Sequence, residues 1–207
     1  MSSQLFHKSL AITASPLRAS FAIDTSVQET HNHYSVHQPA EILSDALLAQ
    51  FDTLNLRASN VALFFKIPSA RRSLIHCDVG LVEGKWKKNI AALNWNLTSS
   101  ESTMSWYHVD EVEVEPDLNP VDETPEWYYC LNGNHYGYRR NMDIPEENVK
   151  CLETAAIYGA TLVRTDIPHA IINAGKLGRW ALSVRFDPDF ATWEEAVAAF
   201  SPVLAVA

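Results

Sequence analysis

The 207 residues are 47% apolar and 20% charged, the composition of an ordinary globular domain with enough chain to bury a substantial core. A formal net charge of −9, from 16 basic and 25 acidic residues, argues against nucleic acid and anionic membranes as partners, since both require exposed basic surface. Three cysteines (Cys77, Cys130, Cys151) without CxxC spacing argue against a disulfide framework or a thiolate zinc site. No apolar run approaches the roughly 18 residues of a spanning helix. The expectation is a cytoplasmic protein, its oligomeric state not encoded.

The first 23 residues are Ser-rich, carry Lys8 and Arg18, and hold no acid before Asp24. That is a weak transit-peptide pattern, and an N-terminal arm or first strand is the simpler expectation. Thr30–His37 reads as a polar loop. Its histidines (His31, His33, His37) share no register with an acid or a cysteine, so a metal site there is not expected. Pro39 opens a helix over Ala40–Leu54, with Ile42, Ala46, Leu47 and Phe51 at helical spacing. Residues 1–60 thus form an arm and a helix.

A core of short strands follows over 61–187. Val61–Ile67 is a strand by its β-branched and aromatic content, stopped by Pro68. After a polar connection comes Leu74-Ile-His-Cys-Asp-Val-Gly80. In extended chain, residues i and i+2 point to one side, so His76 and Asp78 face inward together and Cys77 away. Glu83–Lys88 reads as a basic turn. Asn89–Leu97 is a strand with Asn94 and Asn96 on one face, which suits either solvent or a polar cavity wall. Thr103–His108 makes another strand.

Residues 109–126 carry eight acids and three prolines, a solvated excursion with the length of a lid. Trp127–Arg140 is read as a hairpin turning at Asn132-Gly133, and the whole departure spans 109–148. Short strand pieces at Val149–Leu152, Ala155–Tyr158 and Thr161–Thr165 lead into Pro168-His169. Arg179–Phe186 is a strand whose alternate residues Arg179, Ala181, Ser183 and Arg185 share a polar face. Over 188–207, Trp193, Ala196, Val197 and Phe200 form the stripe of a C-terminal helix. The fold expected is mainly β (α+β): a single domain built on a cupin-like jelly roll, or double-stranded β-helix, with flanking α-helices.

Two imidazoles and one carboxylate with open positions are the ligand set of non-haem Fe(II) oxygenases. His76, Asp78 and His169 can supply it, with His169 brought from a distant strand. Arg179, ten residues after His169, has the planar fork that grips a carboxylate through two parallel hydrogen bonds. HxD alone is common by chance; HxD, then a polar strand, then His with Arg at +10, is much rarer.

In these residues the chain resembles the Fe(II)/2-oxoglutarate-dependent oxygenase superfamily. Within it, the runs Ala91-Ala-Leu-Asn-Trp-Asn-Leu97 and His169-Ala-Ile-Ile-Asn173 with Arg179-Trp-Ala-Leu182 are most similar to the aspartyl/asparaginyl β-hydroxylase-like branch and small phage and bacterial relatives. The resemblance covers about a quarter of the chain. It implies that His76, Asp78 and His169 hold Fe(II), that Arg179 grips the far carboxylate of 2-oxoglutarate, and that Asn94 lies near the cosubstrate's metal-binding end. It also implies O2 as oxidant and hydroxylation of a small polar molecule, such as an amino acid or derivative. Many members carry Arg-x-Ser where this chain has Ala181, so Ser183, Tyr107 or a water is expected to help. Asn96, Trp106, Tyr107 and Arg185 are expected to line the substrate side, Arg185 meeting a substrate carboxylate. Two readings stay open beside this one: a cupin-type metal protein without 2-oxoglutarate, and an interaction domain whose acidic loop recruits a basic partner.

Overall fold

The computed structural model describes residues 6–21, 23, 32–69, 72–82, 85–98, 101–109, 128–131, 134–137 and 146–205. In chain order the elements are β1 (His7–Ser9), β2 (His33–His37), α1 (Pro39–Ile42), α2 (Asp45–Thr53), β3 (Ala58–Lys66), β4 (Val79–Val82), β5 (Lys85–Lys88), β6 (Ala91–Asn96) and β7 (Ser102–Val109). They continue with β8 (Tyr128–Leu131), β9 (Asn134–Gly137), β10 (Val149–Ala156), β11 (Ala160–Arg164), β12 (His169–Asn173), β13 (Arg179–Phe186) and α3 (Trp193–Ala199). No described helix is long and apolar enough to cross a membrane.

Six strands form one antiparallel sheet in the order β1-β11-β6-β13-β3-β2, and a second sheet runs β10-β7-β12. Ser69 and the irregular stretch 72–78 extend this second sheet. Ser69 bridges Asn173 and His76 bridges His169, and the Ser73 amide donates to the Ile171 carbonyl at 2.8 Å. Apart from the β7–β10 pair, consecutive strands of the roll therefore change sheets: β3, β6, β11 and β13 lie in one, and residues 72–78, β7, β10 and β12 in the other. That alternation is the eight-stranded jelly roll with its two Greek keys.

The large sheet has two unlike faces because side chains alternate along each strand. Leu63, Phe65, Leu93, Trp95, Leu162, Leu182 and Val184 pack on one face against Ile42, Leu43, Leu47 and Phe51 of the α1–α2 region and against Trp193, Ala196 and Phe200. Each such side chain, once buried, contributes about 1.5–3 kcal/mol. The other face looks into the roll. There a smaller cluster of Phe6, Ala92, Met104, Trp106, Ile157 and Val163 fills part of the interior.

Local chemistry explains the boundaries. The helix expected over 40–54 breaks in two because Leu43, fully buried, is extended and bridges Leu17. Ser44 then caps α2, its hydroxyl accepting from the Leu47 amide at 3.1 Å. Thr192 caps α3 the same way, accepting from Glu195 N at 3.1 Å. Residues 33–37, read as polar loop, are instead the edge strand β2, because β3 offers them a free edge. Lys85–Lys88, read as a turn, pairs with β4. The two strand pieces after 149 are one strand, β10, with an irregularity between Cys151 and Glu153. Gly159 has φ +59, a left-handed turn between β10 and β11 that favours glycine. The acidic stretch 110–127 and the turn residues Asn132-Gly133 lie outside the described residues, so the expected lid does too.

Candidate metal centre

His76 and His169 are neighbours through their own backbones. The His76 amide donates to the His169 carbonyl at 3.0 Å and the His169 amide to the His76 carbonyl at 2.8 Å. Two reciprocal bonds lock the pair in register, and their rings stand 4.5 Å apart. Asp78, two residues on, is anchored by its own amide donating to the Thr165 carbonyl at 2.9 Å.

The side chains converge. Asp78 Oδ1 lies 3.5 Å from His76 Nε2 and 3.6 Å from His169 Nε2, and one donor atom from each residue falls within 4.8 Å of the others. With metal–ligand bonds of about 2.1 Å, tetrahedral donors sit about 3.4 Å apart and right-angled donors about 3.0 Å apart. Movements of a few tenths of an ångström would bring both His–Asp pairs to either geometry.

Both tautomers are set for a metal. His76 Nδ1 is 2.9 Å from the Leu74 carbonyl and His169 Nδ1 is 2.8 Å from the Ile167 carbonyl. A carbonyl only accepts, so each Nδ1 carries the proton and each Nε2 presents its lone pair inward. Burial and the neighbouring His169 lower the His76 pKa to about 4, which keeps that lone pair free at neutral pH. Burial alone would raise the Asp78 carboxyl. The Arg185 guanidinium and then the two imidazoles outweigh it and hold Asp78 well below its usual range. The donor set fits a divalent ion: two neutral nitrogens and one anionic oxygen.

Arg185 turns out to serve the centre itself. Its Nη2 donates to Asp78 Oδ2, while Nη1 donates to the Ala91 carbonyl and to Thr165 Oγ1, both at 3.2 Å. The Thr165 hydroxyl in turn donates a hydrogen bond to the Asn89 carbonyl at 2.9 Å. This network ties Oδ2 and leaves Oδ1 turned toward the histidines. Arg185, expected to meet a substrate carboxylate, has Asp78, the Ala91 carbonyl and Thr165 as its partners in this structure.

Farther along β13, Arg179 is 1% exposed. Its guanidinium carbon lies 5.2 Å from the Phe64 ring centroid. Among the described residues, neither Nε nor Nη1 has an acceptor, and burial lowers the pKa to about 10. A buried cation with idle donors is costly and suits an anion brought from outside. Between Arg179 and Arg185 the inner wall is polar. Thr161, Asn94 and Ser183 stand side by side across β11, β6 and β13, all buried, and Asn94 Oδ1 has no donor among the described residues.

Other residues singled out from sequence have other surroundings. Asn96 shares the face of Asn94 but is drawn to the strand end, reaching Ser102 Oγ at 3.4 Å and accepting from Thr98 N at 3.3 Å. Trp106 is opposite His169 across β7 and β12; it is fully buried, with Nε1 donating to the Arg164 carbonyl at 2.8 Å. Tyr107 follows it in the strand and so faces the opposite side, where Arg72 lies 5.8 Å from its ring centroid.

Two residues escaped the sequence reading. Tyr34 on β2 is within electrostatic reach of both Arg185 and Asp78. Lys66 stands directly opposite Arg179. Tyr34 lies in a stretch read as loop, and Lys66 in a strand whose partner the sequence alone does not give.

No family model matches the sequence, and no curated protein matches it. Among solved structures it is similar to the crystal structure of the non-heme alpha-ketoglutarate-dependent carbocyclase SnoK from nogalamycin biosynthesis. The likeness has 12% identity and a TM-score of 0.41, and covers 82% of this chain and 71% of that one.

Proposed function

We propose that this protein is an Fe(II)- and 2-oxoglutarate-dependent oxygenase of the superfamily that its HxD…H…Arg pattern resembles. One observation carries the reading. His76, Asp78 and His169 gather three donor atoms within 4.8 Å, and the same roll holds a 99%-buried guanidinium, Arg179, with unused donors. A structural zinc site would supply four protein ligands; three with open positions suit catalysis at iron.

In this reading His76, Asp78 and His169 would hold the iron, and Arg179 would hold the far carboxylate of 2-oxoglutarate. When bound, iron and 2-oxoglutarate supply the means to use O2 for oxidising an unactivated C–H bond, with succinate and CO2 released. The chain's own part is placement. The Leu74 and Ile167 carbonyls keep the imidazoles in the metal-binding tautomer. Arg185 and Thr165 keep Asp78 from turning. The buried row Thr161, Asn94 and Ser183 offers hydrogen bonds to a polar ligand while apolar Phe64 and Ala181 exclude water beside it. We assign as substrate a small polar molecule, such as an amino acid or derivative, approaching from the side of Tyr34.

The test is stoichiometric. Protein reconstituted with Fe(II) should convert 2-oxoglutarate to succinate in an O2-dependent reaction, at a slow uncoupled rate even without substrate. Consumption should be absent from His76→Ala. Equal succinate formation by wild type and His76→Ala would overturn the proposal.

A further inference from the structure

Lys66 and Arg179 are register partners in the antiparallel pair of β3 and β13. Directly opposite residues share a face, with Cβ atoms about 4.5–5.5 Å apart. That face is the interior of the roll, because the flanking residues Phe65 and Trp180 occupy the helix-covered face, their rings 5.1 Å apart. Two cations are thus set opposite each other inside the fold. Among the described residues no carboxylate pairs with either, and Arg179 keeps two N–H groups idle.

Such a pair destabilises a sheet on its own. Burial makes matters worse: it lowers the Lys66 pKa, with Arg179 adding to the effect. Yet the local backbone is braced to keep the arrangement. The Asn173 side-chain amide donates at 3.0 Å to both the Lys66 and Leu177 carbonyls. Gly178, just before Arg179, leaves no room for a side chain, since a Cβ there would fall 2.1 Å from the Phe65 ring. Phe64 backs the guanidinium and limits its plane.

We propose that Lys66 and Arg179 together form a two-cation clamp for the distal carboxylate of a short dicarboxylate ligand. The proposal rests on the oxygenase reading for the ligand's other end, and it adds a residue to that site. Arg179 supplies the planar fork, and Lys66 supplies a point charge at its side. The Lys66 ammonium takes the place of the hydroxyl that Ala181 cannot offer.

Calorimetric titration of the Zn(II)-loaded full chain with 2-oxoglutarate and with pyruvate, which has the same 2-oxo acid head and no distal carboxylate, tests the clamp. Lys66→Met should weaken 2-oxoglutarate roughly tenfold or more, as losing a charged hydrogen bond does, and leave pyruvate unchanged. Lys66→Arg should restore most of the loss. Melting of the metal-free chain gives a second readout. Relieving the like-charge pair should raise the melting temperature of Lys66→Met at low salt, and succinate should raise it for wild type but not for the variant.

A Lys66→Met protein that binds 2-oxoglutarate like wild type, or weakens both keto acids equally, overturns the clamp. So does a lower melting temperature for the metal-free variant. Should wild type bind neither keto acid while succinate still raises its melting temperature through Lys66, the clamp stands and the oxygenase reading falls.

Discussion

Neighbouring residues of β13 lead opposite lives. Trp180, Leu182 and Val184 look toward the helices and join the large dry core. Arg179, Ser183 and Arg185 look into the roll, where Arg179 Nε and Nη1 and the neighbouring Asn94 Oδ1 have no partner among the described residues. The strand is one, its length and hydrogen bonds shared, so the difference lies in the side chains alone. The outer face stabilises and the inner face leaves polar groups waiting for a ligand, a division expected where function is set on a rigid scaffold.

The sharpest way to break this comparison is one substitution on each side. His169→Ala should abolish tight binding of Zn(II) or Fe(II) while leaving cooperative unfolding. Leu182→Ala, at a fully buried position, should cost about 2–5 kcal/mol and leave metal affinity near wild type at a temperature where the variant is folded. Calorimetry and chemical unfolding together read both. If Leu182→Ala lost metal as completely as His169→Ala, the two faces would not be separable.

Acid sharpens the same contrast. His76 is neutral in the folded protein down to about pH 4, against 6.5 in the unfolded chain. Between those values the unfolded chain binds more protons, so the metal-free protein should lose stability as pH falls from about 6.5 toward 4. The Asp78 carboxyl is also lowered, from a carboxylate's ordinary 3.8; for an acid that shift favours the folded state, and its stabilising share should be lost only as pH falls below that value. His76→Asn should remove the His76 part of the slope in a plot of unfolding free energy against pH; an unchanged slope would contradict it.

Arg185→Gln should weaken metal binding by roughly 10–100-fold, the usual cost of losing a group that orients a ligand. A smaller effect is expected at Asn94. Its Oδ1 has no described donor, so Asn94→Ala should change metal-free stability by no more than about 1 kcal/mol while weakening 2-oxoglutarate binding. A large loss of stability there would mean that Asn94 is structural.

Much of this is legible in the sequence. Period-2 patterning defines β13 to the residue, and HxD spacing predicts the shared face of His76 and Asp78. Pairing of His76 with His169 across 93 positions is a tertiary fact, and sequence could only require it. Arg185 is ambiguous in sequence because an arginine on a cavity face reads the same whether it meets a ligand or a carboxylate of the chain itself, as it does here with Asp78. Trp106 and Tyr107 were both expected near the substrate, yet adjacent strand residues face opposite ways. Lys66 could not be found without the β3–β13 register, and Tyr34 was obscured because β2 has little strand character until β3 pairs with it.

The central claim is that a single iron sits among His76, Asp78 and His169 with a 2-oxo acid beside it. Anaerobic addition of Fe(II) and then 2-oxoglutarate to the metal-free chain, followed in the visible region, tests it most directly. The account predicts a weak metal-to-ligand charge-transfer band that saturates near one iron per chain and is missing from Asp78→Ala and His169→Ala. Absence of the band in wild type, or its persistence in those variants, would contradict it.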